Sequence, residues 1–291
     1  VLIMKILKLT SSCSYYCMRM IVIFAESAAE LQKALNSMSD YCKTWKLSIN
    51  IDKTKIMIFS RGMVKNVPKF IYNNEELQVV HDFKYLGIVF YYNGKFSKAK
   101  RRLIDQARKA MFSVLRKSRS LELPIDMQLH LFDSMVVPIL TYGAEVWGYE
   151  DDNIIESLHL EFCRMLLCCS KSTTKNMIYG ELGRFPISIT VKERILNFWG
   201  KLVSGNTEKL SYMLYRIILE KHTRGEFHSA WLVYVKNTLN ECGLSYIFDS
   251  QSFQSPNWLR ANISLKLRDQ YKQNWHDALS NSTKCSNYRF F

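Results

Sequence analysis

Several patterns that mark common functional sites are missing from this sequence. The eight cysteines show no paired C-x-x-C spacing and no histidine at zinc-finger distance, which predicts a reduced intracellular protein with buried thiols, in the cytoplasm or nucleus. No glycine-rich phosphate loop and no Ser/His/Asp or Cys/His pairing occurs, so we expect no small-molecule cofactor. The apolar stretch at residues 1–9 is interrupted by lysines and is too short to span a bilayer, so no membrane partner is expected.

Positive charge is what the sequence has in excess. With 40 Lys and Arg against 26 Asp and Glu, the net charge is +14, which favours a polyanionic partner such as nucleic acid. A basic surface that is solvated and binds nothing is the alternative. The 291 residues, 48% of them hydrophobic, are enough for two globular domains. Because the chain begins on Val rather than Met, we expect it to be a fragment of a longer reading frame.

The first strand and helix of the chain can be predicted from local patterns. The unbroken apolar run Ile21–Ala25 predicts a buried strand. Ser27 and Glu30 have the spacing of a capping box, which predicts a helix that begins directly after the serine. The inner face of this helix is expected to consist of Leu31, Ala34, Leu35, Met38, Cys42 and Trp45.

Further strands are predicted after this helix. Leu47–Ile51 alternates apolar and polar residues, and Ile56–Phe59 is a second short strand. Asn73-Asn74 predicts the turn of a hairpin. Phe83–Phe90 predicts one continuous strand that ends before the turn pair Asn93-Gly94. Strands gathered around one helix indicate an α+β sheet with helices on one face.

From residue 96 onward the hydrophobic periodicity is helical. Apolar residues recur at spacings of three and four, so that each segment has one face able to pack against a neighbour. The chain therefore changes from a mixed region to an all-helical region. Helices are predicted at 97–120, from Pro124 to a limit at Pro138, and at 154–167, 187–203, 208–221, 228–241 and 258–279.

The segments Ile21–Phe59 and Phe83–Phe90 resemble the C-terminal half of the palm in reverse transcriptases of non-LTR retrotransposons, of the LINE-like, jockey or CR1 type. Pro138–Gly148 and Ile178–Pro186 resemble later segments of these elements, and no chemistry is assigned to them. The resemblance implies an α+β fold: a partial reverse-transcriptase palm, with a small antiparallel sheet and a helix, followed by a mostly α-helical thumb and C-terminal region. The implied domains are a divergent segment at 1–20, the partial palm at 21–95, a helical thumb-like region at 96–150 and a helical C-terminal region at 151–291.

The catalytic motif of that family is replaced in this chain. In the family a Tyr-Ala-Asp-Asp turn precedes the apolar strand, and its two aspartates hold catalytic metal. The aligned positions here are Cys17, Met18, Arg19 and Met20, and none of them is a carboxylate. The intact ancestral enzyme uses Mg²⁺, whereas this chain is expected to have no catalytic residue and no metal. Tyr149–Asp152 matches the motif superficially, but it precedes a helical segment and is expected to cap that helix or to be solvated.

The loss of the motif has a possible origin in the codons. One choice of codons for Tyr16–Ile21 contains, in a shifted frame, a string that translates as Leu-Tyr-Ala-Asp-Asp. We therefore hypothesise that residues 1–20 are translated out of frame, through a frameshift or a mis-joined exon. Sequencing the gene and transcript across codons 13–22 is expected to reveal this string. Codons that exclude it would instead mean that the motif was lost by substitution.

Two short segments match positions near the nucleotide and the primer in the family. A lysine beside the incoming nucleotide meets the triphosphate, although the same lysines can also be exposed residues at a strand end. In the primer grip, a glycine lets the backbone approach the primer strand, whereas packing in a core strand is the alternative. By resemblance, the nucleotide- or primer-proximal residues are Asn50, Lys53, Lys55, Tyr85, Leu86 and Gly87.

A dense basic segment begins near residue 95, where the thumb of the family begins. Cations on one face of a helix neutralise phosphates without recognising base sequence, so a template–primer duplex is the expected partner. A solvated helix is the alternative. Asp105 is the one acidic residue among the cations, and Lys95 and Arg119 mark the ends of the segment. The predicted nucleic-acid-binding residues are Lys98, Lys100, Arg101, Arg102, Arg108, Lys109, Arg116 and Lys117.

Three interpretations of function follow from these observations. The first is a fragment of a retrotransposon RNA-directed DNA polymerase that has lost its Asp-Asp metal site and is inactive. The second is a noncatalytic nucleic-acid-binding module that uses the basic thumb helix. The third is a transposon relic without function or without a stable fold, because an incomplete palm leaves a sheet edge open.

Overall fold

A computed structural model of the chain divides into two compact units, Val1–Arg101 and Arg102–Phe291. The sequence placed domain boundaries near residues 95 and 150, and those domain assignments stay predictions. The residues that the structure describes are 2–11, 19–60, 62, 64–150 and 153–282.

The first unit consists of short strands gathered around a helix, α1 (Ala28–Thr44). The strands form one five-stranded sheet and two separate hairpins among the described residues. They are β1 (Leu2–Ser11), β2 (Arg19–Ala25), β3 (Leu47–Ile49), β4 (Lys55–Phe59), β5 (Ile71–Tyr72), β6 (Glu75–Glu76), β7 (Val79–Val80), β8 (Asp82–Tyr85) and β9 (Ile88–Tyr91).

Strand β1 is central to the five-stranded sheet, whose order is β2-β1-β4-β7, with β3 also paired to β1. β1 runs antiparallel to β2, β3 and β4, with Ile3 opposite both Ala25 and Ile58. The sequence assigned no strand to residues 1–20. β1 forms because strands on both sides pair with its backbone N–H and C=O groups, an effect that no local pattern reveals.

Strand β2 lies at the edge of this sheet in the described part of the chain. Its Ile21 and Ile23 pack against the core that α1 covers. Phe24, on the opposite face of the strand, is 61% exposed. The prediction of a buried strand at Ile21–Ala25 is therefore wrong for Phe24, although Val22 on the same face packs against Met57.

The helix α1 begins as its capping box predicts. Ser27 Oγ accepts from the backbone N–H of Glu30 at 3.2 Å, and the Glu30 carboxylate accepts from the N–H of Glu26 at 2.9 Å. The glutamate thus reaches one residue beyond the serine cap. Leu31 and Leu35 are fully buried, as predicted for the inner face. Trp45 follows the last turn and is 64% exposed, so its placement on that face is wrong.

Two tight turns give the first unit its hairpins. Asn73 (φ 48°) and Asn74 (φ 66°) connect β5 to β6, which confirms the predicted hairpin. Leu86 (φ 46°) and Gly87 (φ 91°) connect β8 to β9. The continuous strand predicted at Phe83–Phe90 is therefore wrong, because two successive residues with positive φ reverse the chain. A leucine rarely adopts such a conformation, so the pattern did not indicate a turn.

From Ser97 onward the secondary structure is helical in the described residues, and the helices of more than ten residues have boundaries close to the predicted ones, whereas four shorter helices were not predicted. Among these helices none combines the length and the apolarity that crossing a lipid bilayer requires. They are α2 (Ser97–Ser120), α3 (Ile125–Met135), α4 (Val137–Leu140), α5 (Ala144–Trp147), α6 (Asn153–Leu166), α7 (Lys175–Glu181), α8 (Ile187–Val203), α9 (Leu210–Thr223), α10 (Ala230–Glu241), α11 (Ser245–Ser250) and α12 (Pro256–Ser280).

Helix α8 lies at the centre of the second unit, where it contacts α5, α10 and α12. Its Val191, Ile195 and Trp199 are fully buried. A Cβ atom on Gly200 would lie 2.4 Å from Leu259 Cδ2, so the glycine allows α12 to approach α8 closely. This packing gives the second unit a helical core of its own.

The thiols of the described residues are unpaired and mostly buried. Cys42, Cys163 and Cys242 are buried, as predicted. Cys168, directly after α6, is exposed, so the expectation of buried thiols is wrong at this position. Burial raises the pKa of the Cys163 thiol to about 12, which keeps that side chain in the neutral form.

Candidate nucleic-acid interface

The part of helix α2 that belongs to the second unit separates an apolar face from a basic face. Leu103, Ala107, Met111 and Val114 are buried, and their spacing of three or four residues places them on one side. This packing holds the helix in place and leaves the other side to solvent. The cations near the C-terminal end, Lys117 and Arg119, also interact favourably with the helix dipole.

Five cations of this part of α2 are exposed to solvent. No acidic side chain in the described part of the chain forms an ion pair with any of them. Their charge is therefore available to a polyanion rather than neutralised within the protein. These five are Arg102, Lys109, Arg116, Lys117 and Arg119.

Arg108 differs from its neighbours because it is already paired. Its Nη1 atom donates to both carboxylate oxygens of Glu161 in α6, at 2.9 and 2.7 Å. This ion pair, in which one guanidinium nitrogen is shared by both oxygens, ties α2 to α6 and neutralises much of the arginine charge locally. Arg108 therefore positions the helix more than it contributes free positive charge, which the sequence cluster did not reveal.

Two neighbouring cavities lie along α2 and the end of α6, and both have Met165 in their walls. The cavity we call the α2 cavity, of about 790 Å³, is lined by Lys109, Phe112, Ser113, Leu115, Arg116, Arg119 and Met165. The cavity we call the α6 cavity, of about 740 Å³, is lined by Arg108, Glu161, Arg164, Met165, Cys168, Cys169 and Lys171.

The predicted binding residues at the start of α2 belong to the first unit and have other environments. Lys98 Nζ lies 2.9 Å from Asp82 Oδ2 and 3.9 Å from the centre of the Tyr91 ring, and the hydrogen bond to Asp82 raises the pKa of the lysine. Arg101 is exposed. Lys100 is only 3% exposed, so the expectation that all these cations share one exposed face is wrong for it.

The burial of Lys100 follows from the helix period. Lys100 precedes Lys109 by nine residues, which is about two and a half turns of α-helix, so the two side chains leave opposite sides of α2. The sequence could have shown this: the position of each cation around the helix axis, counted at about 100° per residue, separates Lys100 from the exposed cations of α2.

Of the predicted nucleotide-proximal residues, Asn50 and Lys53 lie in the turn between β3 and β4, and Lys55 begins β4. Asn50 Oδ1 accepts from the backbone N–H of Lys53 at 2.9 Å, and Thr54 Oγ1 donates to the Asn50 carbonyl at 2.7 Å. Asn50 therefore shapes the turn. Lys53 is exposed, whereas the Lys55 ammonium hydrogen-bonds Gln78. The Lys53 ammonium has no hydrogen-bond or ion-pair partner in the part of the chain that the structure describes.

The predicted primer-proximal residues form the end of the β8–β9 hairpin. Tyr85 is partly buried, and its ring lies 6.4 Å from the ring of Phe90. Leu86 is 64% exposed at the turn. Gly87 has the positive φ that the turn requires, so this glycine is needed for the hairpin itself. Both Leu86 and Gly87 are exposed at the end of the hairpin.

The positions aligned with the missing metal ligands do not offer Mg²⁺ ligands. Cys17 and Met18 lie outside the described residues, as do Asp151 and Asp152. Arg19 begins β2, and neither it nor Met20 carries an oxygen ligand of the kind Mg²⁺ prefers. Within the described ranges, no three His, Cys, Asp or Glu side chains come close enough to share a metal ion. The absence of a metal site from the whole chain stays a prediction.

A buried polar cluster in the second unit was missed by the sequence analysis. Tyr179 Oη donates to Glu156 Oε1, and the backbone N–H of Ser188 donates to Glu156 Oε2 at 3.3 Å. His159, which is fully buried, has Nδ1 3.3 Å from Glu156 Oε1 and Nε2 3.4 Å from Arg184 Nη2. Because a guanidinium can only donate, this geometry fits the histidine tautomer with its proton on Nδ1.

Electrostatics in this cluster keep Glu156 ionised. Burial alone would raise its pKa, but the hydrogen bonds from His159 and Tyr179 outweigh burial and hold the pKa below its usual range. Burial and the neighbouring carboxylate raise the pKa of Tyr179, so the phenol stays protonated. Arg184 also donates to both oxygens of Asp133 at 2.5 Å. The segment Ile178–Pro186, to which the sequence assigned no chemistry, thus helps to hold α3, α6 and α7 together.

Two curated proteins are similar to parts of this chain. An RNA-directed DNA polymerase from the mobile element jockey of Drosophila funebris is 25% identical over 146 residues, which are 48% of this chain and 15% of the polymerase. A putative uncharacterized transposon-derived protein of Caenorhabditis elegans is 28% identical over 137 residues, which are 44% of this chain and 46% of that protein. No protein family and no solved structure matches the chain.

These similarities support a retrotransposon-related origin for the chain. The matched stretches cover less than half of either relative, and most of the jockey polymerase has no counterpart here. The similarity therefore does not show that this chain has the activity of the whole polymerase.

Proposed function

We propose that this chain is a palm and thumb fragment of a non-LTR retrotransposon RNA-directed DNA polymerase, inactive in synthesis as it stands, that retains nucleic-acid binding through α2. The first unit corresponds in this proposal to the remnant of the palm, and the second unit to the thumb and C-terminal region. The protein acts inside the cell on RNA or DNA rather than at a membrane.

The observation that carries the proposal is the set of five exposed cations on α2, which have no acidic partner in the described part of the chain. Cations on one rigid helix neutralise phosphates at fixed spacings and release condensed counterions, so binding depends on salt and not on base sequence. A retrotransposon-related origin makes a template–primer duplex the natural partner.

The first unit supports a position near the primer end in this proposal. Lys53 is exposed at the β3–β4 turn, and Leu86 and Gly87 form the end of the β8–β9 hairpin. An exposed cation at a turn can meet a phosphate, and a glycine turn lets another backbone come close. Without carboxylates at Arg19 and Met20, these contacts would hold a strand but not extend it.

Salt dependence of binding tests the proposal. We expect the purified chain to bind a labelled RNA–DNA primer–template duplex at low salt, with log K falling against log salt at a slope of about −4.5. The slope follows from about −0.9 per phosphate contact and the five cations available. Fluorescence anisotropy across a salt series measures it.

Two results would contradict the proposal. An absence of binding at low salt would mean that the chain has no nucleic-acid function and would favour the interpretation as a transposon relic. Unfolding without a cooperative transition would support that interpretation further. Templated, Mg²⁺-dependent extension of the primer by the same protein would contradict its inactivity in synthesis.

A further inference from the structure

The α2 cavity combines an apolar surface with a basic rim. Phe112 is 46% exposed, and it makes no ring–ring or cation–π contact with any other described residue. Leu115 is buried beneath it, and Met165 of α6 forms part of the wall. Single exposed apolar side chains are common, but this ring lies within a cavity whose other walls carry cations, so an apolar surface and positive charge are available to one ligand.

Helix geometry places the cations directly beside this ring. Lys109 precedes Phe112 by three residues and Arg116 follows it by four, so both lie next to the ring on the same face of α2. Arg119 follows Phe112 by seven residues, close to two full turns, and also lines the cavity. The ring is therefore surrounded by charges that attract phosphate.

We propose that the α2 cavity binds an unpaired nucleotide of a nucleic-acid strand, with its base stacked on Phe112 and the adjoining phosphates held by Lys109, Arg116 and Arg119. This inference rests on the proposed nucleic-acid binding and adds to it a preference for single-stranded segments. A nucleotide is the ligand that presents a flat apolar ring and a polyanion together. The cavity volume of about 790 Å³ lies within the range that ligand pockets have.

An intact duplex does not satisfy the same surface. Within a duplex both faces of each internal base are stacked on neighbouring bases, so Phe112 cannot reach an internal base without disrupting the helix. An unpaired template residue, or the end of a strand, offers its face freely. The ring therefore discriminates between paired and unpaired nucleotides, whereas Lys109, Arg116 and Arg119 bind the phosphates of both.

Substitutions at Phe112 test this inference. We expect Phe112→Ala to weaken binding of a labelled single strand by about five- to tenfold, since stacking on an aromatic side chain strengthens binding by at least this factor per base. Phe112→Trp keeps a stacking surface and is expected to bind within about twofold of the wild type. Phe227→Ala, at a similarly exposed phenylalanine outside the cavity, is the matched control and should leave binding unchanged.

The comparison uses three ligands of equal length: the single strand, a blunt duplex, and a strand with abasic sites in place of its bases. The Phe112→Ala effect is expected with the single strand alone. A 2-aminopurine base in the single strand should also change its fluorescence on binding the wild-type protein, a measurement that requires no variant.

The outcomes separate the two proposals. If Phe112→Ala weakens the binding of all three ligands equally, or of none, then Phe112 does not stack on a base, and the proposed nucleic-acid binding is unaffected by that result. If Phe227→Ala weakens the single strand as much as Phe112→Ala does, the effect is not specific to the cavity and the inference is wrong. If the wild-type protein binds none of the ligands, both the inference and the proposed function fail.

Discussion

Replacing Lys109, Arg116 and Arg119 together with glutamine is expected to lower affinity for a primer–template duplex by about several hundredfold near 0.1 M salt. Each phosphate contact contributes about 0.9 to the salt slope, so three contacts account for about 2.7 decades of affinity between 0.1 M and 1 M salt. The slope itself should fall in magnitude by about three. All three side chains line one cavity on α2 and have no acidic partner in the described part of the chain, so their loss is not offset within the protein.

A second triple variant controls for total charge. Lys201 in α8 and Lys266 and Lys272 in α12 are exposed and line neither cavity. Replacing these three with glutamine removes the same charge, and the affinity is expected to change by less than about fivefold. Equal losses in the two variants would mean that net charge, and not the α2 surface, binds the nucleic acid. Anisotropy titrations of both proteins at matched salt decide between the two.

The helical half of the fold could be predicted because each helix carries its own periodic signal. The predicted spans 97–120 and 187–203 match α2 and α8 residue for residue. Over more than four turns, buried residues repeat at helical spacing, and no partner is needed to reveal the pattern. The exposed basic face of α2 was accessible to the same reasoning, since cations at helical spacing opposite an apolar stripe must meet solvent or a ligand.

The sheet and the hairpins were harder to predict from the sequence, because the interactions that form them join residues far apart in the chain. Strand β1 exists through pairing with β2 and β4, which lie elsewhere in the sequence. At Leu86 a leucine adopts a positive φ that sequence patterns reserve for Gly and Asn. In both cases tertiary partners outweigh the local preference on which the prediction depended.

The candidate site, too, has one part that the sequence could predict and another part that only the structure reveals. Helical spacing alone places Phe112 on the face of the cations, whereas the cavity wall that Met165 of α6 contributes becomes known only from the structure. The buried polar cluster joins residues from four helices, and Arg184 follows Asp133 by 51 positions in the sequence. Such a cluster has no spacing that a single sequence could reveal. The resemblance indicated the segment that carries Tyr179 and Arg184, but not what it contacts.

The second large effect is expected at Glu156. Substitution with alanine should lower the free energy of unfolding by about 3 to 5 kcal/mol, since each buried donor left without a partner costs about 1 to 3 kcal/mol. The donors left behind are Tyr179 Oη, the Ser188 N–H and His159 Nδ1. Glu208→Ala removes an exposed carboxylate of the same unit and is the matched control, with little expected change. Urea unfolding followed by tryptophan fluorescence measures both variants.

The pH dependence of the free energy of unfolding tests whether the charge of Glu156 is what stabilises the fold. Because its folded-state pKa lies below the ordinary value of 4.5, ionised Glu156 stabilises the fold above that value, and this contribution is lost as pH falls through 4.5 toward the folded-state pKa. Glu156→Gln keeps the size of the side chain and one acceptor oxygen but has no charge to lose. The gap in unfolding free energy between the wild type and the Glu156→Gln variant should therefore be constant near neutral pH and narrow below pH 4.5. A gap that stays unchanged down to the acid transition would mean that shape, and not ionisation, makes this carboxylate necessary to the cluster.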